Sequence, residues 1–192
     1  EYDYRAGYDA VFAQFGWNFS RPLQAALCRG AATVHDKPWG VIITYENTQP
    51  PYYESGEQMY QDMVYAYENG AKYILLFDYD KNTTRKALTS EHLAALRQFW
   101  QYTQSNPQTS SNTGDRIAFV LPKDYGFGFR SSNDRIWGIW EADEMSAKIW
   151  EDANSLLQQH KTKLDIIYED TLHLNTTAYN KFVFWNGTTQ TP

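Results

Sequence analysis

Apolar residues along this chain fall into two rhythms. Val41 to Tyr45 and Tyr73 to Phe77 are short apolar runs without alternation, the pattern of parallel strands covered on both faces. Between them Glu57 opens a segment with Met59, Met63, Val64 and Tyr67 at helical spacing, and Asn69-Gly70 supplies a stop in which glycine can take positive φ. This strand, helix and strand form one crossover unit spanning Pro38 to Asp80. A second βα unit precedes it. Tyr8 to Trp17 reads as a strand, and Pro22, just after Ser20, starts a helix running through Leu23, Ala26, Leu27 and Gly30 to about His35. A third follows, with a polar loop from Lys81 and a helix from Ser90 whose apolar stripe is Leu93, Leu96 and Trp100.

Strands spaced in this way predict a parallel α/β protein, whose chemistry sits on the edge formed by the C-terminal ends of the strands. Glu46 and Asp78 are predicted to stand on that edge, among Trp39, Tyr45, Tyr52, Tyr53 and Tyr79, with Asn18 ending the first strand beside them. Ser105 to Asp115 is a polar stretch without an apolar residue and reads as a linker. Beyond it Ile117 to Leu121 is a strand, and a helix is expected from about Glu141. Its apolar face carries Ala142, Met145, Ile149, Ala153 and Leu156, with acidic residues in its first turn. Leu164 to Tyr168 and Lys181 to Trp185 complete a second group of strands.

Composition narrows the function. The net charge is -6 and no Lys or Arg run interleaves with the aromatics, which disfavours a nucleic-acid partner. Fifteen Tyr and seven Trp suit neutral, polar ligands such as sugars, and they equally suit half-buried packing. Cys28 is the one cysteine, which excludes an internal disulfide and a thiolate metal site; it reads as a small buried hydrophobe. His35, His92, His160 and His173 show no zinc-site spacing, so no metal or other cofactor is expected. No stretch approaches the ~18 apolar residues of a membrane span. Four Asn-x-Ser/Thr sequons, at Asn18, Asn82, Asn175 and Asn186, favour an extracellular or cell-surface location, and Glu1 reads as the start of a mature or excised segment.

PWGVIITYE followed by PPYYESGEQMYQDMVYAYENGAKYILLFDYD resembles the last strands of a glycoside-hydrolase-type (β/α)8 barrel. RIAFVLPKDYGFGFRSSNDRIWGIWEADEMSAKIWEDANSLLQQHKTKLDIIYED resembles the small flavodoxin-like or glutamine-amidotransferase-like domain that follows such a barrel in family 42 β-galactosidases, among others. The resemblance implies that the strands at Val11, Val41 and Tyr73 are the sixth, seventh and eighth of a barrel. Residues 1–105 would be its C-terminal portion, 106–115 the linker and 116–192 the small α/β domain. A single doubly wound sheet is the alternative fold. The resemblance further places Glu46 where retaining β-glycosidases carry their nucleophile, and their acid/base, at the end of the fourth strand, would lie upstream of Glu1. Missing staves would leave an apolar inner face, made by Phe12, Val41, Ile43 and Leu75 or their alternates, for the rest of the barrel or a second copy to cover.

Glycoside hydrolysis by two carboxyl groups can also draw its pair from Glu46, Glu54 and Asp78. Glu54 has a second reading as a partner of the following helix N-terminus, and Asp78 as an Asx-type loop anchor. Trp17, Asn18, Trp39, Tyr45, Tyr52, Asp78 and Tyr79 are the expected substrate-binding residues. In the second domain Gly126 and Gly128 lack the spacing of a phosphate loop, and there is no nucleophilic cysteine for amidotransferase chemistry. Tyr125, Phe127, Phe129, Trp137 and Trp140 read there as packing aromatics. The expected function is carbohydrate-active, glycoside-hydrolase-like catalysis. The alternative is a non-catalytic surface-layer or filament scaffold that keeps a degenerate barrel.

Overall fold

The structure is a computed structural model and describes residues 1–16, 18–46, 52–77, 88–108, 114–128, 130–131, 133–135 and 141–192. A one-turn helix α1 (Tyr2–Arg5) leads into strand β1 (Val11–Phe15), shorter than the sequence predicts because Gly16 turns its carbonyl to the Arg21 guanidinium. Ser20 Oγ accepts the N–H of Leu23, and with Pro22 in the first turn this starts α2 (Arg21–Val34). Strand β2 (Trp39–Thr44), helix α3 (Gly56–Glu68) and strand β3 (Tyr73–Phe77) follow. Gly70, at φ 82°, closes α3 as its sequence predicts. Helix α4 (Ser90–Ser105) ends the first half.

These three strands pair in chain order, β1-β2-β3, all parallel. One face is packed beneath three helices: Phe15, Val41, Ile43 and Tyr45 lie against Ala25, Ala31 and Ala32 of α2, Met59 and Met63 of α3, and Ala95 of α4. The opposite face carries Phe12, Ile42, Tyr73, Leu75 and Phe77, the last three 42%, 46% and 46% exposed. So β3, read from sequence as covered on both faces, is covered on one. The register also corrects the expected inner face: Phe12 pairs with Gly40 and Ile42 with Leu75, so Val41 and Ile43 point under the helices and Ile42 takes the open side. Gly40 is what lets the Phe12 and Tyr73 rings meet at 6.0 Å, since a Cβ there would stand 2.5 Å from the Phe12 ring.

The second half contains β4 (Arg116–Leu121), α5 (Ser146–His160), β5 (Leu164–Tyr168), β6 (Tyr179–Phe184) and β7 (Thr189–Gln190). Its mixed sheet runs β5-β4-β6-β7, with β4, β5 and β6 parallel and β7 antiparallel. Two sequence expectations shift. Helix α5 begins at Ser146 rather than Glu141, because Asp143 Oδ1 takes the N–H groups of Met145 and Ser146, leaving the acidic residues ahead of the first turn. In α4, Leu93 and Trp100 are 44% and 68% exposed. The inward stripe is His92, Ala95, Leu96 and Phe99.

Helix α2 belongs to both sheets. Its Ala25, Ala31 and Ala32 serve the first core, Leu23 and Ala26 pack with Phe119, Ile149 and Ile166, and Val34 joins Ala118, Val120 and Ile167 on the other side of the second sheet. The helix thus lies along the outer strand β5 and shields an edge that would otherwise offer unpaired main-chain groups. Gly30 makes the approach possible: a Cβ at this position would sit 2.3 Å from the Ile166 carbonyl oxygen. Next to it Arg29, 4% exposed, donates Nε to Asp165 at 2.6 Å, Nη1 to Asn69 Oδ1 at 2.5 Å and Nη2 to the Leu164 carbonyl at 2.8 Å. A charge buried this deeply is tolerable only when so completely partnered.

Candidate functional site

Beyond Thr44 the chain leaves the first sheet at the C-terminal edge and doubles back. Glu46 and Tyr53 form an antiparallel bridge, and the Glu54 N–H donates to the Tyr45 carbonyl at 2.8 Å. Ser55 then caps α3 by accepting the Gln58 N–H, so Glu54 is not the cap that its position before the helix suggested. Glu54 turns inward instead. Only 8% exposed, it lies with Oε1 3.1 Å from Arg21 Nη2, while Oε2 is buried with no hydrogen-bond partner among the described residues.

The same guanidinium serves Asp62 on α3, 3% exposed, at 3.0 Å, and donates Nη1 to the carbonyls of Gly16 and Phe19. Gln58 Nε2 adds a hydrogen bond to Asp62 at 2.9 Å. Two buried carboxylates therefore share one cation. Burial first, and then the Asp62 charge, raise the proton affinity of Glu54, and Arg21 only partly offsets them. From below, His92 fixes the loop. The Thr89 N–H approaches Nδ1 at 3.4 Å and Nε2 lies 2.8 Å from the Glu54 carbonyl, so Nε2 carries the proton and Nδ1 accepts.

Among the expected site residues, Glu46, Tyr45, Tyr52 and Glu54 come together in this hairpin, and Asn18 lies exposed in the β1–α2 loop at the same edge. Tyr45 is 1% exposed with its ring 5.0 Å from His92, so it supports the hairpin and offers no face to a ligand. Among the described residues Tyr52 is 56% exposed, and Phe19, 43% exposed, carries the Arg130 guanidinium 5.8 Å over its ring. Trp39 does not belong to the group. It opens β2, at the opposite edge of the sheet, and its ring is buried. Seven residue steps of chain lead from it to Glu46, roughly 23 Å at ~3.3 Å per residue. Trp17, Asp78 and Tyr79 lie outside the described residues, as do Phe129, Trp137 and Trp140 of the second half.

Arg21, Asp62 and His92 are the residues that pattern reading missed. Two of them left a trace: Asp62 shares a helix face with Met59, Met63 and Ala66, and Thr89-x-x-His92 is a capping-box spacing. Cys28 is buried, and burial pushes its thiol up to about 12, which makes it inert. Among the described residues no cluster of His, Cys, Asp and Glu could hold a metal ion, and no helix is long and apolar enough to cross a membrane. Comparison of the chain with protein-family models, with curated proteins and with solved structures yields no match.

Proposed function

We propose that this chain supplies closing staves of a (β/α)8-type barrel in a carbohydrate-active protein, with Glu46 as the reacting carboxylate of a glycoside-hydrolase-type site. Strands paired in chain order, with α2, α3 and α4 packed on a single face, support a barrel segment. A doubly wound sheet reverses its strand order and covers both faces with helices. The observation that carries the functional reading is the position of Glu46, just past the C-terminal end of the middle strand, in a hairpin pinned by the Tyr53 bridge and the Glu54–Tyr45 hydrogen bond. Tyr52, 56% exposed, offers a ring on which a sugar can stack.

In this reading Glu46 attacks the anomeric carbon while a protonated carboxyl group gives its proton to the departing oxygen, and water then displaces the glycosyl group from Glu46. Glu54 has a raised proton affinity, but its side chain is enclosed by Arg21 and protein. It holds the hairpin, and the acid comes from another carboxylate of the complete site. The exposed sequons Asn175 and Asn186 suit a secreted protein, since each Oδ1 accepts from the hydroxyl of its own threonine, at 2.7 and 2.8 Å.

Glu46→Gln in the complete parent protein tests the reading. Hydrolysis of an activated aryl glycoside should fall by about three orders of magnitude or more, with the melting temperature nearly unchanged. A fully active Gln variant ends the proposal. The scaffold alternative draws on the open apolar face of β1-β2-β3 and on the burial of Trp39 and Tyr45; a parent protein inert toward every glycoside would favour it.

A further inference from the structure

At the other end of the first sheet, where β2 and β3 begin, and beside the start of β4 in the second sheet, a cleft of about 510 Å³ opens between the two halves of the chain. We propose that it binds a small anion of the phosphate or sulfate class, carried as a monoester. The cleft is cationic in a protein whose net charge is -6. Arg29, Lys37, Lys72 and Arg116 line it, and among the described residues Asp36 is the one carboxylate in its wall. Behind the wall both Arg29 and Arg116 converge on Asp165, at 2.6 and 3.3 Å, so one fully buried carboxylate answers two guanidinium groups. Lys37 leans toward Asp9 at 3.8 Å. With Asp36, Asp165 and Asp9 set against the four cations, a positive charge is left over.

The donors that remain are those an anion needs. Arg116 commits Nη1 to Asp165 and Thr33, and its Nε and Nη2 have no partner among the described residues. Lys72 makes no ion pair there, its Nζ lying 5.6 Å over the Tyr73 ring. Guanidinium and ammonium groups donate and cannot accept, which selects an acceptor-only ligand such as a tetrahedral oxyanion. The carbonyls at the end of α2, which would repel it, are already taken by the N–H groups of His35, Asp36, Lys37 and Asn175. A bare ion would leave most of this volume empty, and the space suits an ester whose organic part is the size of a hexose.

The cleft and Glu46 lie at opposite ends of β2, so each proposal can fail without the other. Isothermal titration of the protein, produced without glycans at low ionic strength, with inorganic phosphate and with a hexose monophosphate tests the inference. The monoester should bind saturably and more tightly than inorganic phosphate. Lys72→Gln, an exposed change that leaves the melting temperature in place, and Arg116→Gln should each weaken it by roughly tenfold or more. Equal binding of both probes would assign the cleft to the free ion and overturn the ester. Absence of saturable binding, or binding indifferent to Lys72→Gln and to Arg116→Gln, overturns the site.

Discussion

Substituting Gly30 by alanine tests the packing of α2 more sharply than deleting any large side chain. Within a helix interior this exchange ordinarily stabilises by ~0.5–1 kcal/mol, because alanine loses less backbone freedom on folding. Here the new Cβ would stand 2.3 Å from the Ile166 carbonyl oxygen and 3.0 Å from its carbonyl carbon and amide nitrogen, where ordinary contact begins at 3.4 Å. Main chain cannot rotate away as a side chain can, so α2 must retreat from β5 by about 1 Å, an overpacking cost of ~1–3 kcal/mol. The retreat also stretches the adjoining Arg29–Asp165 contact from its 2.6 Å. The two effects together outweigh the propensity gain, and we expect a net loss of ~1–3 kcal/mol, a fall of roughly 5 °C in melting temperature for a chain of this size. Urea denaturation and a thermal melt measure it. A Gly30→Ala variant as stable as the parent, or more so, would refute the close approach of α2 to β5.

Two further substitutions probe the buried charges. Glu54 holds its proton more strongly in the folded chain than in the unfolded one, so the stability it contributes is complete below the ordinary carboxylate range and is lost as pH rises through the raised folded value. Glu54→Gln should flatten that decline in melts from acid to neutral pH, and an unchanged slope would show that the titration lies elsewhere. Asp165→Asn keeps the shape of its side chain but leaves Arg29 buried without a counter-charge, and urea unfolding should register a loss of ~3–5 kcal/mol; a loss typical of an exposed pair, below about 1 kcal/mol, would contradict the burial.

Much of the scaffold was legible because its signals are local. The apolar runs at Val41, Tyr73, Ile117 and Leu164 all became strands, Ser20 with Pro22 marked the start of α2, and Gly70 marked the end of α3. What escaped depends on partners far away in sequence. No periodicity reveals that Arg21 reaches Glu54 and Asp62, or that Arg29 meets Asp165 across 136 positions. Other misses were readable. Helix α2 is rich in small apolar residues around its circumference, the mark of a helix buried on several sides. Asn186-Gly187 is a hairpin signal, and the Phe184–Thr188 hydrogen bond there turns β6 into the unforeseen β7. Aromatic character alone groups Trp39 with the carboxylates, although a residue that opens a parallel strand stands at the edge opposite one that follows it.

The sharing of α2 decides where this polypeptide can be divided. Composition changes most abruptly at 106–115, and a cut there falls between the strands of one sheet and those of the other. Yet residues 116–192 expressed alone would lose Leu23 and Ala26 from beneath Phe119 and Ile166, and Asp165 would keep Arg116 but lose Arg29. Residues 1–105 would in turn carry a stranded guanidinium and a glycine groove shaped for a strand no longer present. For secretion, fusion or directed shuffling, the smallest portable piece that includes the second sheet must therefore reach back at least to Ser20.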